Sequence, residues 1–254
     1  MGMPIVFEVC DPDVDPGEVQ GTVDWLHWVD ATFSTYRRDS EISRLNHGEL
    51  TRAQLHPEVS AILDRCEELR VPTDGYFDIR APYAAAGTGP IAGRGLPGSV
   101  DPSGFVKGWA VAEAVARLRA AGAANLAVNA GGDVLACGRP DGEQAWRIGI
   151  QHPRSARDIA LTLAVRDRAV ATSGTYVRGR HIVDPHTGAA PDGLLSVTIT
   201  GPDLPTADAF ATAAFAMGPE RGAAWCTTLG SYDAVLICAD DTVLTTRGID
   251  SLRV

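Results

Sequence analysis

Two adjacent glycines, Gly131 and Gly132, separate the short apolar runs of "NLAVNAGGDVLACG". A loop of two residues leaves no room for a crossover. The flanking runs can therefore pair only as an antiparallel hairpin, with glycine supplying the positive φ that such a turn demands. Upstream, "DPSGFVKGWAVAEAVARLRAAG" carries the clearest helical pattern in the chain. Asp101 suits the cap, Pro102 the first helical position and Gly122 the end. Downstream, "AWRIGIQHP", "DIALTLAVRDRAVATSG" and "LLSVTITG" read as further strands, and "DAVLICADDTVLTTRGI" as a closing strand pair.

Helices fall between these runs. "PGEVQGTVDWLHWVDATFSTY" has apolar residues at helical spacing from Val19 to Phe33, and Ser40 looks like the start of a short helix in "RRDSEISRLN". In "HPEVSAILDRCEELRVPTDG", Val59, Ile62, Leu63, Cys66 and Leu69 share one face before Pro72 and Gly75 end the helix. "TADAFATAAFAMG" and "GPERGAAWCTTLG" are two small-residue helices, and "MPIVFEV" is a first strand. Residues 81–100, rich in glycine and proline, read as a loop. The expected fold class is α+β: a single domain over residues 1–254, with mostly antiparallel sheets flanked by helices.

The 254 residues are enough for a substantial core, and the net charge of −10 argues against a nucleic-acid backbone as partner. Five cysteines without a CxxC pair support neither a disulfide framework nor a zinc knuckle, so buried reduced thiols are expected. The N-terminus has no basic start and no long apolar run, which points to a cytoplasmic protein with no membrane insertion.

Four segments can carry chemistry. In "TADAFATA", Asp208 and Thr212 lie four apart and share a helix face. A carboxylate with a hydroxyl is half a shell for a hard cation such as Mg²⁺. By itself the segment reads more simply as a helix N-cap through Thr206 or Asp208. In "DPSGFVKG", Lys107 adds a cation near a helix start, and Gly104 and Gly108 cost the helix stability. Either a ligand or a packed neighbour approaches the backbone there. "NAGGD" reads as a tight turn. In "TSGTYVRGRHIVDPHTG", alternation sends His181 and Asp184 to opposite faces, and Pro185 breaks the helix that a His181–His186 metal pair would need. Arg178, Arg180 and His181 could meet a phosphate; an Asp184-Pro185 turn is the plainer reading.

In order, "MGM" at the start, "FSTYRRDSEISRLN", "GYFDIRAPY", "DPSGFVKGWAVAEAVARL", "VNAGGDVLACG", "VATSGTYVR", "HIVDPHTGAAP" and "TADAFATAAFAMG" resemble the successive blocks of the ApbE flavin transferase family. The resemblance runs from residue 1 to about residue 218. It implies Mg²⁺-dependent transfer of FMN from FAD to a threonine hydroxyl of a target flavoprotein, releasing AMP. Hydrolysis of FAD to FMN and AMP, or FAD binding without turnover, are the alternatives. By resemblance, Asp208, Thr212 and the Gly104 carbonyl are metal ligands. Asp101, Lys107, Met1 and Val183 contact FAD, and His181 is the base that activates the acceptor hydroxyl. Between Asp78 and Asp101 the chain is shorter than the family's usual pattern.

Overall fold

The computed structural model describes residues 2–80, 98–140, 142–155, 157–175 and 182–254. The expected loop at 81–100 lies mostly outside them, as do Met1, Arg178, Arg180 and His181.

The Gly131–Gly132 turn forms as its sequence requires, with φ of 58° and 100°. It joins β2 (Leu126–Ala130) to β3 (Asp133–Cys137) with Ala130 opposite Asp133. Strand β1 (Ile5–Val9) pairs on the outer side of β2. Beyond β3 come β6 (Arg168–Gly174), β7 (Leu194–Gly201), β8 (Asp233–Cys238) and β9 (Val243–Thr245). The order β1-β2-β3-β6-β7-β8-β9 makes one seven-stranded sheet, antiparallel at every step. Strands β4 (Trp146–Gln151) and β5 (Ile159–Val165) form a separate hairpin.

Alternation along the strands divides the core in two. Leu126, Val128, Ala169, Ala171, Val197, Ile199, Ala234 and Leu236 turn to the helices. Their neighbours Ala127, Val134, Ala136, Val170, Val235 and Ile237 pack instead with Trp146, Ile150, Leu161 and Leu163 of the β4–β5 hairpin. The large sheet is thus covered by helices on one face and by the small hairpin on the other.

The helical layer comprises α1 (Pro16–Phe33), α2 (Glu41–Asn46), α3 (Pro57–Arg70), α4 (Ser103–Ala120) and α5 (Leu204–Cys226). Local chemistry sets their starts. Asp15 Oδ1 accepts from the Gly17 amide at 2.9 Å, and Ser40 Oγ accepts from the Ser43 amide at 3.0 Å. The buried face of α3 is the expected one, Val59, Ile62, Leu63, Cys66 and Leu69. Helix α1 meets α4 through aromatic contacts, Trp25 to Trp109 at 5.4 Å and Phe33 to Trp109 at 5.3 Å between ring centroids. Along α5 the two expected small-residue helices follow one another: Gly218, at the non-helical φ 77° and ψ 179°, ends the first, and the second starts at Pro219.

Two expectations on helix starts shift. Helix α4 begins at Ser103, with Pro102 at the cap position; Asp101 Oδ1 still accepts from the Ser103 amide at 2.9 Å. The cap of α5 is Asp203, whose Oδ2 accepts from the Thr206 amide at 3.0 Å, so neither Thr206 nor Asp208 caps it. Asp208 is therefore left for other work.

Candidate active site

The site lies where the first turns of α4 and α5 cross above the helix-covered face of the sheet. Two glycines one turn apart on α4 permit the crossing. A Cβ on Gly108 would stand 2.8 Å from the Leu204 carbonyl oxygen and 3.1 Å from Asp208 Cβ. A Cβ on Gly104 would stand 3.3 Å from Thr212 Oγ1. What approaches the α4 backbone is thus α5, and it brings Asp208 and Thr212 with it.

Asp208 is 2% exposed. Its Oδ2 accepts from the Gly108 amide at 3.1 Å. In an α-helix the partner of that amide is the carbonyl four residues back, here Gly104. Asp208 therefore draws on a donor that the Gly104 carbonyl would otherwise have to itself. On the same face of α5, Thr212 Oγ1 lies 3.2 Å from Ser173 Oγ at the end of β6. Either hydroxyl can donate in that contact.

Below Asp208 is a second carboxylate. Asp133, first residue of β3, is fully buried and on the helix-facing side of its strand. Its Oδ1 accepts from the Thr172 amide at 3.1 Å, while its Oδ2 accepts no hydrogen bond. Lys107 Nζ stands 2.7 Å from Asp133 Oδ2, an ion pair by distance without hydrogen-bond alignment, and 3.6 Å from Asp208 Oδ1. Two buried carboxylates thus face one ammonium. Burial pushes the Asp208 carboxyl well above its ordinary range, and the Asp133 charge pushes the same way; Lys107 and the Gly108 amide oppose them in part.

The arrangement fits a hard cation. It offers an under-compensated carboxylate and a hydroxyl one helical turn apart, with the Gly104 backbone packed against that hydroxyl, all of them oxygen donors. No cluster of three or more His, Cys, Asp or Glu occurs among the described residues, so a cation here would complete its shell with backbone, hydroxyl, ligand or water oxygens.

Of the residues singled out in the sequence, Gly104, Lys107, Asp208 and Thr212 come together. Asp101 stands at the entrance to α4, tied through its own amide to the Ile79 carbonyl at 2.7 Å. Val183 is buried beside the Asp184-Pro185 turn. That turn is well made: Asp184 Oδ1 accepts from the His186 amide at 2.8 Å and Oδ2 from Thr187 Oγ1 at 3.1 Å. His186 anchors it to the helical layer. Its Nε2 lies 3.0 Å from the Asp74 carbonyl oxygen and so must carry the proton, and its ring meets Tyr76 at 4.6 Å. Met1 and His181 lie outside the described residues. Sequence reasoning missed Asp133 and Ser173. Asp133 carried one usable signal: it has the strand parity of Leu135 and Cys137, which turns it inward.

Fold and site together define an α+β protein whose antiparallel sheet holds a buried, charged side-chain cluster under two crossing helices. The ApbE family model matches residues 1–86 and 91–236, and the chain belongs to that family. A protein of Vibrio cholerae named FAD:protein FMN transferase is 31% identical over 243 residues, covering 78% of this chain and 73% of the relative. One of Treponema pallidum with the same name is 32% identical over 211 residues, covering 76% of this chain but only 57% of the relative. Among solved structures, the flavin transferase ApbE of Vibrio cholerae superposes with a TM-score of 0.82 at 25% identity, covering 99% of this chain and 96% of that one. No helix among the described residues is long and apolar enough to cross a membrane.

Proposed function

We propose that the chain, read as one flavin transferase domain over residues 1–254, moves FMN from FAD to a threonine hydroxyl of a target flavoprotein and releases AMP. The family membership and the shared name of the relatives support flavin transfer. The observation that carries the chemistry is the pairing of Asp208 and Thr212 against Gly104 and Lys107 at the α4–α5 crossing.

The threonine oxygen attacks the FMN phosphorus of the FAD pyrophosphate. A phosphorus–oxygen bond to threonine forms, the bond to the AMP oxygen breaks, and the hydroxyl proton passes to a base. Such transfers need positioning and charge neutralisation more than covalent help. Asp208, Thr212 and the Gly104 carbonyl would hold Mg²⁺, which when bound neutralises pyrophosphate oxygens. Lys107 brings a fixed positive charge to the same oxygens. Asp101 and Val183 line the nucleotide, with Val183 held by the turn that His186 anchors. Met1 contacts the flavin. His181, two residues before Val183, takes the proton; the family resemblance supports that role, and a placed base contributes about 10²–10⁴ in rate.

The test incubates the protein with FAD, Mg²⁺ and a candidate acceptor flavoprotein, following flavin fluorescence in the denatured acceptor band and AMP in solution. Covalent flavin with matching AMP is expected from the wild type, and neither from Asp208→Ala. AMP without covalent flavin would make water the acceptor and overturn the transfer reading.

A further inference from the structure

Lys107 is not shared evenly between its two carboxylates. Its ammonium is 2.7 Å from Asp133 and 3.6 Å from Asp208. Asp133 can hold it because the fold fixes Asp133 on three sides. The Gly131–Gly132 turn starts the strand at this residue, the Thr172 amide engages Oδ1, and complete burial leaves Oδ2 without a hydrogen bond. Asp208 has the Gly108 amide on Oδ2 and keeps Oδ1 toward the ammonium at the longer distance.

We propose that Asp133 is a positioning residue that draws the Lys107 ammonium away from Asp208 and so keeps the Asp208 carboxylate open to a divalent cation. The inference rests on the cation reading of Asp208 and adds the residue that prevents Lys107 from neutralising it. Counting charge gives the consequence. Among these three groups, the form that takes a divalent cation has both carboxylates ionised against one ammonium, one negative charge in excess. Without the Asp133 charge, the ammonium has Asp208 as its one remaining partner of the two, and the excess vanishes. A cation must then compete with an internal ion pair in a low-dielectric setting, where such attraction is strong.

The charge count orders four forms of the intact protein: wild type, Asp133→Asn, Lys107→Met and the double variant. Asparagine keeps the volume and the acceptor for the Thr172 amide. The probe is Mg²⁺ alone, read as the concentration at the midpoint of its thermal-shift titration, without FAD or turnover. Asp133→Asn is expected to raise that midpoint about tenfold or more, and Lys107→Met to lower it. The double variant, with the excess charge restored, is expected to return to within about threefold of wild type. A merely structural Asp133 would lower the unfolding temperature of both Asp133 variants and leave their Mg²⁺ midpoints at the wild-type value; that result overturns the proposal. If Asp133→Asn does not fold, Lys107→Met still decides, because failure to tighten Mg²⁺ contradicts the competition. A wild type with no response to Mg²⁺ removes the cation reading of Asp208 and this proposal together. A wild type that responds while Asp133→Asn responds identically removes this proposal alone.

Discussion

Asp208 sits where burial opposes its charged form. Desolvation and the neighbouring Asp133 both favour its neutral form, and Lys107 with one amide oppose them only in part. On the proposed reading a bound cation resolves that conflict, and the residue would then matter more to turnover than to the fold. Asp208→Ala is expected to lower kcat about a hundredfold or more, since cations of this kind supply several kcal/mol to the transition state. Circular dichroism should show the fold kept. Asp11 behaves oppositely. The Asn125 amide at 2.6 Å, the Asn125 side chain and the Ala124 amide hold its carboxyl below the model-compound value of 3.8. A lowered folded-state value means that the stabilisation is fully present above the unfolded-state value and is lost as pH falls through the folded one. Thermal melts should therefore show Asp11→Asn less stable than wild type at neutral pH, with the gap narrowing as pH falls below the ordinary aspartate range. The thiols give a third expectation. Burial pushes Cys66 and Cys226 up to about 12, and Cys137 and Cys238 also upward. A thiol-specific reagent at pH 7.5 should label Cys10 in the native protein and all five cysteines after denaturation.

Among the elements, the crossing of α4 and α5 decides whether the site exists. Gly108 has no space for a side chain, because what faces it is backbone, the Leu204 carbonyl and Pro205 Cα. Gly108→Val is expected to cost about 1–3 kcal/mol in chemical denaturation by forcing the helices apart. It should also weaken Mg²⁺ binding, since Asp208 loses the Gly108 amide. Much at this scale was legible in the sequence. The two-glycine turn dictated the β2–β3 hairpin, and the spacing from Val59 to Leu69 gave the buried face of α3 correctly. Asp208 and Thr212 were placed on one face by their spacing alone. The caps were less legible. Asp203 rather than Thr206 or Asp208 starts α5, because several acceptors in "GPDLPTAD" compete and only the backbone path selects one. Asp133 was the larger omission. A polar residue just after two glycines looks like part of the turn. Its place in the cluster appears only when α4, from more than twenty residues upstream, lays Lys107 across it.

Across the whole molecule, the sheet separates two tasks. Its hairpin-covered face is apolar packing around Trp146 and Leu163, and its helix-covered face holds Lys107, Asp133, Ser173, Asp208 and Thr212. Such a division requires strands from distant parts of the chain, β3 and β6, to present Asp133 and Ser173 beside each other under one helix pair. Periodicity foretold the α+β class but not that strand order, which depends on long-range pairing rather than local pattern. On the proposed reading this cluster serves flavin transfer, and the step to product can be observed directly. The decisive measurement is peptide mass spectrometry of a candidate acceptor flavoprotein, co-expressed with the wild-type protein or with Asp208→Ala. FMN attached through its phosphate to one threonine with the wild type, and unmodified acceptor with the variant, is the expected result. An unmodified acceptor in both, or equal modification in both, would contradict it.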